Sequence, residues 1–479
     1  MNKLFFLLIP LLLSGFTHLW NPVGYPDVFF DEGIYMRRAV NLLHTGNPQE
    51  GNVYDHPYFG QIAIASILAI TNYSDIKPST DPESLQSLYM IPRIFMGLLA
   101  VLDTFLIYKI VQLRYGGIAP FLSASLFAVL PFTWIFKRIL LDSILMPLVL
   151  GAILLAIYST KTKQKSVLII FSGCLLGLAV FTKIPAFTMI FVVAWIVYSD
   201  RKKFSDVLLL LIPFLLIPLI WPVNAITLDH FDLWQKGVLW QTQRTNSALD
   251  IFGFFAIIDP LMFILGLSGI IIAALRKDKF LLLWFAPFVI FLSVIGYKQY
   301  FHWMMVIPVM CIAAGVLLES IRKYNLIKKN ITFTAIVSVI LIFSFVSTSL
   351  LIINNISSNQ FQALSYVLEN YDDNVTVLTS PVYSWILYDV FERENVPKDF
   401  SFILFHPINT EKTVIMVDEH YRIDLKRGPQ LQTALDKTTV IQTFEGTINK
   451  FNSKIYPYTN MQANGEAGKI EIREGTRVK

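Results

Sequence analysis

Two adjacent carboxylates, Asp31 and Glu32, follow the first apolar stretch of the chain in the run FFDEGIYMRRAVNLLHTG. Carboxylates beside a bilayer are costly unless they are solvated or used. With an ordinary pKa of about 4, such a group is ionised at neutral pH and can take a proton from a hydroxyl. The apolar spacing predicts an amphipathic helix over 31–45 that stops at Gly46. A structural alternative is that Asp31 only caps this helix.

Cations and aromatic side chains follow near the ends of later apolar stretches. They are Arg93, Arg138, Lys183, Arg244, Tyr297, Lys298 and His302. His56 in the first loop and the carboxylate Asp142 belong to the same set. Lys and Arg at headgroup depth stabilise the charge that a departing lipid phosphate gains, and a carboxylate can deprotonate the attacking hydroxyl. Taken together, these residues indicate a site for a sugar joined to a lipid phosphate. Taken singly, Lys183 could reach the headgroups, and Arg138 and Asp142, four residues apart, could form an ion pair on a helix.

Composition indicates a polytopic α-helical membrane protein. The 479 residues are 54% hydrophobic and 15% charged, and their mean hydropathy is +0.56. Apolar stretches of about 20 residues, long enough to cross a bilayer, recur through the first three quarters of the chain. A membrane barrel would show short alternating segments instead. The two cysteines, Cys174 and Cys311, lie inside apolar runs, which excludes a disulfide framework.

We predict eleven spans and two domains. The spans are 3–20, 88–112, 117–134, 140–158, 166–182, 185–199, 205–223, 257–275, 280–297, 300–319 and 331–353. Residues 1–357 form the membrane domain, with an outer loop over 21–87. Residues 61–71 are too few to cross and are predicted to form an interfacial helix. Lys and Arg concentrate in alternate loops, which places the N-terminus in the cytoplasm and everything after 354 outside.

Residues 358–479 are predicted to form a small soluble α/β domain, extracytoplasmic and without a catalytic residue. Short apolar runs at 375–380, 412–418 and 438–444 alternate with helical patterns. The stretch after about 460 is polar and is expected to be mobile. None of the glycine-rich nucleotide loops, HExxH, paired CxxC or GxSxG motifs occurs there.

The ordered motifs of residues 1–320 resemble those of GT-C membrane glycosyltransferases of the dolichyl-phosphate-mannose protein mannosyltransferase and aminoarabinose transferase type. The motifs are the Asp-Glu pair, HPYFG, Arg93 in YMIPRIFMG, Arg138 with Asp142, GLAVFTK ending in Lys183, and the stretch from Lys298 to Pro308. The resemblance has departures. One proline follows His56 where the family often has two, and no loop is long enough for the β-trefoil domain of the protein mannosyltransferases.

The resemblance implies a hexosyl- or pentosyltransferase that moves a sugar from a polyprenyl-phosphate donor to an extracytoplasmic hydroxyl, with inversion. It implies Asp31 as general base and Glu32 as the second acidic position. Donor phosphate binding is assigned to Arg138, Lys183, Lys298, Tyr297, His302 and Arg244, and shaping of the substrate pocket or loop to His56, Arg93 and Asp142. The alternative function is a transporter or flippase for lipid-linked saccharides, which would depend on polar groups inside the spans.

The expected partners are the lipid-linked sugar, membrane lipid, and a glycan, lipid or protein acceptor, and no nucleic acid. No cofactor is assigned firmly. A divalent metal could be held by Asp31 and Asp142, because some GT-C enzymes use one and others do not. The expected location is the cell membrane.

Overall fold

The protein is described here from a computed structural model, which covers residues 3–73, 76, 78–243, 253, 255–256, 258–295, 299–323, 330–408, 410–446 and 468–476. Helices make up most of it. The first group comprises α1 (Lys3–Leu19), α2 (Phe30–Thr45), α3 (Phe59–Ile70), α4 (Pro82–Ser87), α5 (Met90–Arg114), α6 (Ala119–Val129), α7 (Leu141–Ser159), α8 (Lys165–Thr182), α9 (Ile190–Arg201) and α10 (Phe204–Leu216). The second group comprises α11 (Ile220–Thr227), α12 (Phe231–Gln243), α13 (Pro260–Leu275), α14 (Lys279–Val294), α15 (Ile307–Lys323), α16 (Asn330–Ile352), α17 (Ser358–Asn370), α18 (Pro381–Trp385), α19 (Glu419–Asp424) and α20 (Pro429–Asp436).

Each of the eleven predicted spans falls on helical structure, but the number of spans is not confirmed. Five described helical stretches are long and apolar enough to cross a bilayer: Pro82–Arg114, Leu141–Ser159, Lys165–Thr182, Phe204–Thr227 and Ile331–Ile352. Two bent pairs raise the number to seven if each is one span: Ala119–Val129 with Pro131–Lys137, bent by 70°, and Pro260–Leu275 with Lys279–Val294, bent by 119°.

Short 3₁₀ turns explain why several predicted spans lack a continuous α-helix. Pro131–Lys137 follows α6, Ile184–Met189 precedes α9, and Tyr300–Met305 precedes α15. Proline at the start of the first two turns removes a backbone donor and favours such a break. Each turn lies beside or contains a predicted site residue, since Arg138 and Lys183 flank the first two and His302 lies within the third.

The basic loops gather at one end of the helical bundle. Lys161 Nζ donates to the carbonyl of Leu113 at 2.9 Å, and the hydroxyl of Tyr115 donates to Asp278 at 2.8 Å. Arg276, in the same loop as Asp278, donates to Ser320 near the end of α15 at 2.6 Å, next to the last basic loop. The loops that the sequence assigns to one membrane face therefore do lie together.

The predicted amphipathic helix is confirmed as α2. It ends at Gly46, whose φ of 70° is left-handed and whose N–H donates to the carbonyl of Leu42 at 2.9 Å. The predicted helix at 61–71 is confirmed as α3.

The C-terminal region contains a four-stranded mixed sheet. Its strands are β1 (Val375–Leu378), β2 (Lys412–Val417), β3 (Thr439–Glu445) and β4 (Lys469–Thr476), in the order β1-β2-β4-β3. β1 and β2 pair in parallel, with Val375 opposite Lys412, and β4 is antiparallel to both its neighbours.

Strand β4 corrects the expectation that the chain after about 460 is mobile. The run KIEIREGT fills the gap between β2 and β3, with Ile470 and Ile472 fully buried. The polar side chains that suggested mobility alternate with these two isoleucines, which is the period of a strand with one buried face.

The C-terminal region and the membrane part share one hydrophobic core. Trp385 Nε1 donates to the hydroxyl of Tyr89 at 2.7 Å, and that hydroxyl donates to the carbonyl of Val382 at 2.8 Å. A Cβ built on Gly33 would lie 2.3 Å from the backbone of Pro381, so α2 and α18 meet backbone to backbone. The division at 357–358 remains a prediction, and extensive buried contact crosses it.

Candidate active site

Glu32 is the centre of a buried ionic network. Its carboxylate accepts from Arg93 Nε at 3.0 Å and Nη2 at 2.8 Å, and from Arg138 Nη1 at 3.1 Å. The backbone N–H groups of Phe29 and Ile139 donate to it at 2.8 and 2.9 Å. Burial opposes the ionised form, but Arg93 and Arg138 lower the pKa of Glu32 below its ordinary value.

The two arginines also hold the segment before α2 in place. Arg93 donates to the carbonyls of Pro22, Pro26 and Asp27 at 3.1, 2.6 and 2.7 Å. Arg138 donates to the carbonyl of Asp27 at 2.7 Å and to its carboxylate at 2.6 Å. This network therefore fixes the position at which α2 begins.

Asp31 lies in the first turn of α2, beside Glu32, and is only partly buried. The helix starts after Phe29, and the N–H of Phe29 is bound by Glu32, so Asp31 is not the N-cap residue. The alternative in which Asp31 only caps the helix is therefore wrong, because Phe29 occupies the N-cap position. A carboxylate in a first helical turn is nevertheless favoured by the helix dipole.

Tyr35, one turn further along α2, marks where acidic residues from three segments converge. Burial and the neighbouring carboxylates Asp31, Asp55 and Asp142 raise the pKa of Tyr35 well above its ordinary value. The phenol is therefore neutral and can donate a hydrogen bond at this point.

Lys183 and Asp142 form the second ionic group of the site. Lys183 Nζ lies 2.6 Å from Asp142 Oδ2, and both side chains are buried. The ammonium also lies 5.0 Å from the centre of the Phe301 ring, a cation–π contact. The predicted Arg138–Asp142 pair is not formed, because Arg138 binds Asp27 and Glu32 while Asp142 binds Lys183.

Two hydrogen-bond donors at this place have no partner among the described residues. They are Arg138 Nε and the hydroxyl of Tyr300, and both are shielded from solvent. The electrostatic neighbours of Tyr300 include Arg138, Asp27, Glu32 and Asp31, so the two donors belong to one neighbourhood. Buried donors without partners are rare in proteins and are commonly satisfied by a ligand or water.

The outer loop is attached to α2 by further ion pairs. Arg38 Nη2 donates to Asp55 Oδ2 at 3.0 Å, and Arg38 Nη1 forms an ion pair with Asp55 Oδ1 at 2.9 Å. Burial opposes ionisation of Asp55, but Arg38 and His56 lower its pKa. The His56 ring lies 6.5 Å from that of Tyr35, which places the predicted loop histidine beside the site.

Of the remaining predicted site residues, some lie in the described part of the chain and others do not. His302 Nδ1 accepts from the N–H of Gln299 at 3.1 Å at the start of its 3₁₀ turn. Arg244, Tyr297 and Lys298 lie outside the described residues, so their assignment stays a prediction. Asp31, Glu32, Arg93 and Arg138 come together, and Asp142 with Lys183 forms the adjacent group.

Sequence reasoning gave no role to several residues that line this region. Asp27 binds Arg138, and Tyr35 lies among the acidic residues. His420, from the C-terminal region, stacks on Phe30 with ring centres 4.4 Å apart. Burial lowers the pKa of His420 to about 3, so the ring is neutral. Local spacing contained no signal for His420, since about 390 residues separate it from its partner.

The possible metal site has no cluster to support it within the described ranges. There, no group of three or more His, Cys, Asp or Glu side chains is arranged to hold an ion. Asp142 binds Lys183 instead. Asp31 and Asp142 as metal ligands remain a prediction.

Comparison with known proteins supports the predicted resemblance. Residues 88–225 match the family model described as dolichyl-phosphate-mannose-protein mannosyltransferase. That stretch contains four predicted site residues: Arg93, Arg138, Asp142 and Lys183. No curated protein sequence matches the chain significantly.

The fold matches solved GT-C structures over nearly the whole chain. ArnT from Cupriavidus metallidurans bound to undecaprenyl phosphate has a TM-score of 0.57 and 13% identity, covering 98% of this chain and 97% of that one. The Archaeoglobus fulgidus oligosaccharyltransferase AglB, solved with an inhibitory peptide and a dolichol-phosphate, has a TM-score of 0.59 and 14% identity. That match covers 94% of this chain and 74% of AglB. The predicted resemblance to GT-C membrane glycosyltransferases is confirmed, and the chain is a multi-pass membrane protein with that fold.

Proposed function

Since the chain has the GT-C fold, we propose that it transfers a sugar from a polyprenyl-phosphate donor to a hydroxyl of an extracytoplasmic acceptor. Asp31 is the general base, and the anomeric centre is inverted by direct attack. The observation that carries this proposal is a pair of buried donors close to Asp31, Arg138 Nε and the Tyr300 hydroxyl, which have no partner within the described residues. The lipid phosphates bound by ArnT and AglB support the donor class.

The base and the phosphate site have separate tasks. Asp31 takes the proton of the acceptor hydroxyl as that oxygen attacks the anomeric carbon, and the bond to the lipid phosphate breaks. The leaving phosphate gains negative charge, which Arg138 and Lys183 stabilise in a site where water is scarce. Tyr300 adds a neutral donor to the same anion. Lys298, Tyr297, His302 and Arg244 are proposed to complete the donor site.

Glu32 is proposed to position these groups. Its carboxylate has five donors, so it is committed to fixing Arg93, Arg138 and the start of α2. Asp142 is proposed to hold Lys183 at the donor phosphate, while His56 and Arg93 shape the loop and pocket. Lys183 has three N–H donors, of which Asp142 takes one, so the ammonium can bind a phosphate oxygen as well.

The test is sugar transfer from a lipid-phosphate donor pool to a membrane-extracted acceptor by Asp31→Asn. Asn keeps the size of Asp31 but cannot take the proton, so we expect a loss of about a hundredfold to ten thousandfold. Folding and donor binding are expected to remain. If Asp31→Asn retained more than about a tenth of the wild-type rate, the loss would be too small for a general base.

The variant Asp103→Asn distinguishes the proposed transferase from the alternative of a transporter or flippase. Asp103 is buried within α5, and neither carboxylate oxygen has a hydrogen-bond partner in the described part of the chain. Charged groups inside transmembrane spans often line the substrate or ion pathway of a transporter. The transferase proposal expects Asp103→Asn to keep transfer activity, whereas a transporter would depend on Asp103 and tolerate Asp31→Asn.

A further inference from the structure

An open cleft of about 770 Å³ lies between α2 and the C-terminal region, away from the ionic site. Arg37 and Asn41 of α2 form one wall, and Tyr388, Asp389, Phe402 and Phe405 belong to the other. The cleft therefore runs beside the helix that carries Asp31. Arg37 lies about 9 Å further along the helix axis than Asp31.

The wall formed by the C-terminal region has an unusual backbone. Residues Ile386–Val390 form a π-helical turn directly after α18. Such turns occur often at functional sites, because they re-aim side chains that a regular helix would direct elsewhere. Tyr388 and Asp389 belong to this turn and line the cleft.

Asp389 has an unsatisfied acceptor. Its Oδ2 atom is shielded from solvent and has no hydrogen-bond partner in the ranges that the structure describes. Burial raises the pKa of Asp389 to about 6. A buried carboxyl oxygen without a donor is costly, and a ligand hydroxyl would satisfy it.

The cleft has large uncovered aromatic faces. The exposed fractions are 56% for Tyr388, 36% for Phe402 and 78% for Phe405. An exposed apolar patch rimmed by polar groups marks a binding surface. The negative face of an aromatic ring attracts C–H groups that carry partial positive charge, such as those on a sugar ring.

The charges around the cleft largely neutralise one another. Arg37 and Lys398 both bind Glu50, at 3.0 and 2.7 Å. These pairings favour a neutral occupant rich in hydroxyl groups over a phosphate or a polycation.

We infer that this cleft binds the saccharide part of the acceptor, whose rings stack on Tyr388, Phe402 and Phe405 and whose hydroxyl donates to Asp389. The inference rests on the proposed function and specifies its acceptor as a glycan or glycolipid. The inference requires that a saccharide held beside Arg37 extend along α2 to Asp31, which then deprotonates its terminal hydroxyl.

The test uses the full-length protein in detergent on an array of immobilised neutral oligosaccharides. We expect Phe405→Ala, Tyr388→Ala and Asp389→Asn each to weaken array binding by about tenfold. Matched controls are Ile441→Ala, which is 46% exposed on β3, and Asp373→Asn, whose side chain is 62% exposed. Both controls should bind like the wild type.

The acceptor assay separates this inference from the proposed function. At saturating lipid donor, the cleft variants should raise the KM for the acceptor about tenfold and change kcat less than about twofold. Asp31→Asn should keep array binding while losing transfer. Wild-type protein that binds no neutral oligosaccharide, or cleft variants with unchanged array binding and unchanged KM, would overturn the inference. Loss in the cleft variants of binding to a peptide array or to lipid vesicles, with saccharide binding intact, would overturn it as well.

Discussion

At the scale of single residues, two neighbouring carboxylates occupy different environments. Glu32 is fully buried and accepts five hydrogen bonds, whereas Asp31 is partly exposed in the same helical turn. A carboxylate that is fully bound by arginines is a weak base with little freedom to move. The environment therefore favours Asp31 for proton transfer and Glu32 for positioning.

This difference predicts that Glu32 and Asp31 contribute unequally to stability. Glu32→Gln removes a buried charge and leaves Arg93 and Arg138 undercompensated, which typically costs about 3–5 kcal/mol. Asp31→Asn should cost far less, since Asp31 is partly exposed. Chemical unfolding in detergent micelles measures both. A Glu32→Gln protein as stable as Asp31→Asn would show that the network does not hold the start of α2.

At the scale of elements, the site is built where helices are interrupted. Three 3₁₀ turns bring Arg138, Lys183 and Tyr300 to the beginning of α2, and the loop after α2 is tied back by Glu50. Helix breaks expose backbone groups that a continuous span would satisfy internally, so they are tolerated where protein covers them.

The Glu50 cluster predicts a pH dependence of stability. Burial opposes ionisation of Glu50, but Arg37 and Lys398 lower its pKa to about 2 from an ordinary 4.5. Because the folded pKa is depressed, the contribution to stability is complete above pH 4.5 and is lost as the pH falls toward 2.

Thermal unfolding of Glu50→Gln between pH 7 and pH 3 checks this prediction. The variant should melt below the wild type at pH 7 and approach it in acid, while the exposed control Glu411→Gln should follow the wild type throughout. A Glu50→Gln deficit that stayed constant with pH would contradict a role for the ionised carboxylate.

At the scale of the whole molecule, the two ends of the bundle carry different chemistry. One end gathers the basic loops, and the other gathers the ionic site and the C-terminal sheet. The positive-inside rule then predicts that the basic loops are cytoplasmic and that the site is extracytoplasmic.

Cysteine labelling tests this orientation. In a background with Cys174 and Cys311 replaced by Ala, Glu394→Cys should react with an impermeant thiol reagent in intact cells, and Lys163→Cys only after lysis. Both positions are exposed, so the difference reports the side of the membrane. The reverse pattern would place the candidate active site in the cytoplasm.

The sequence predicts what depends on local patterns. The lengths of the apolar stretches locate the helices, and the helical spacing of apolar residues predicts the buried face of α2. The order of the motifs indicates that Arg138 and Lys183 belong to the site. Long-range pairing is not encoded in spacing. Arg138 and Asp142 are four residues apart, yet each binds a partner more than 40 residues away. Strand β4 could not be predicted because its two isoleucines lie between charged residues. A short polar run with this alternation has the same composition as a flexible tail.

The contacts around Val28 and Phe30 have a consequence for the order in which the protein is made. Gln360 exchanges two hydrogen bonds with the backbone of Val28, at 2.8 and 2.9 Å, and His420 stacks on Phe30. Chains fold as they emerge from the ribosome, N-terminal part first. The helix that carries Asp31 is thus synthesised early. Its contacts with Gln360 and His420 form only after more than 300 further residues have been made. A nascent or truncated chain would have Asp31 without these contacts, so translation must near completion before this site is assembled.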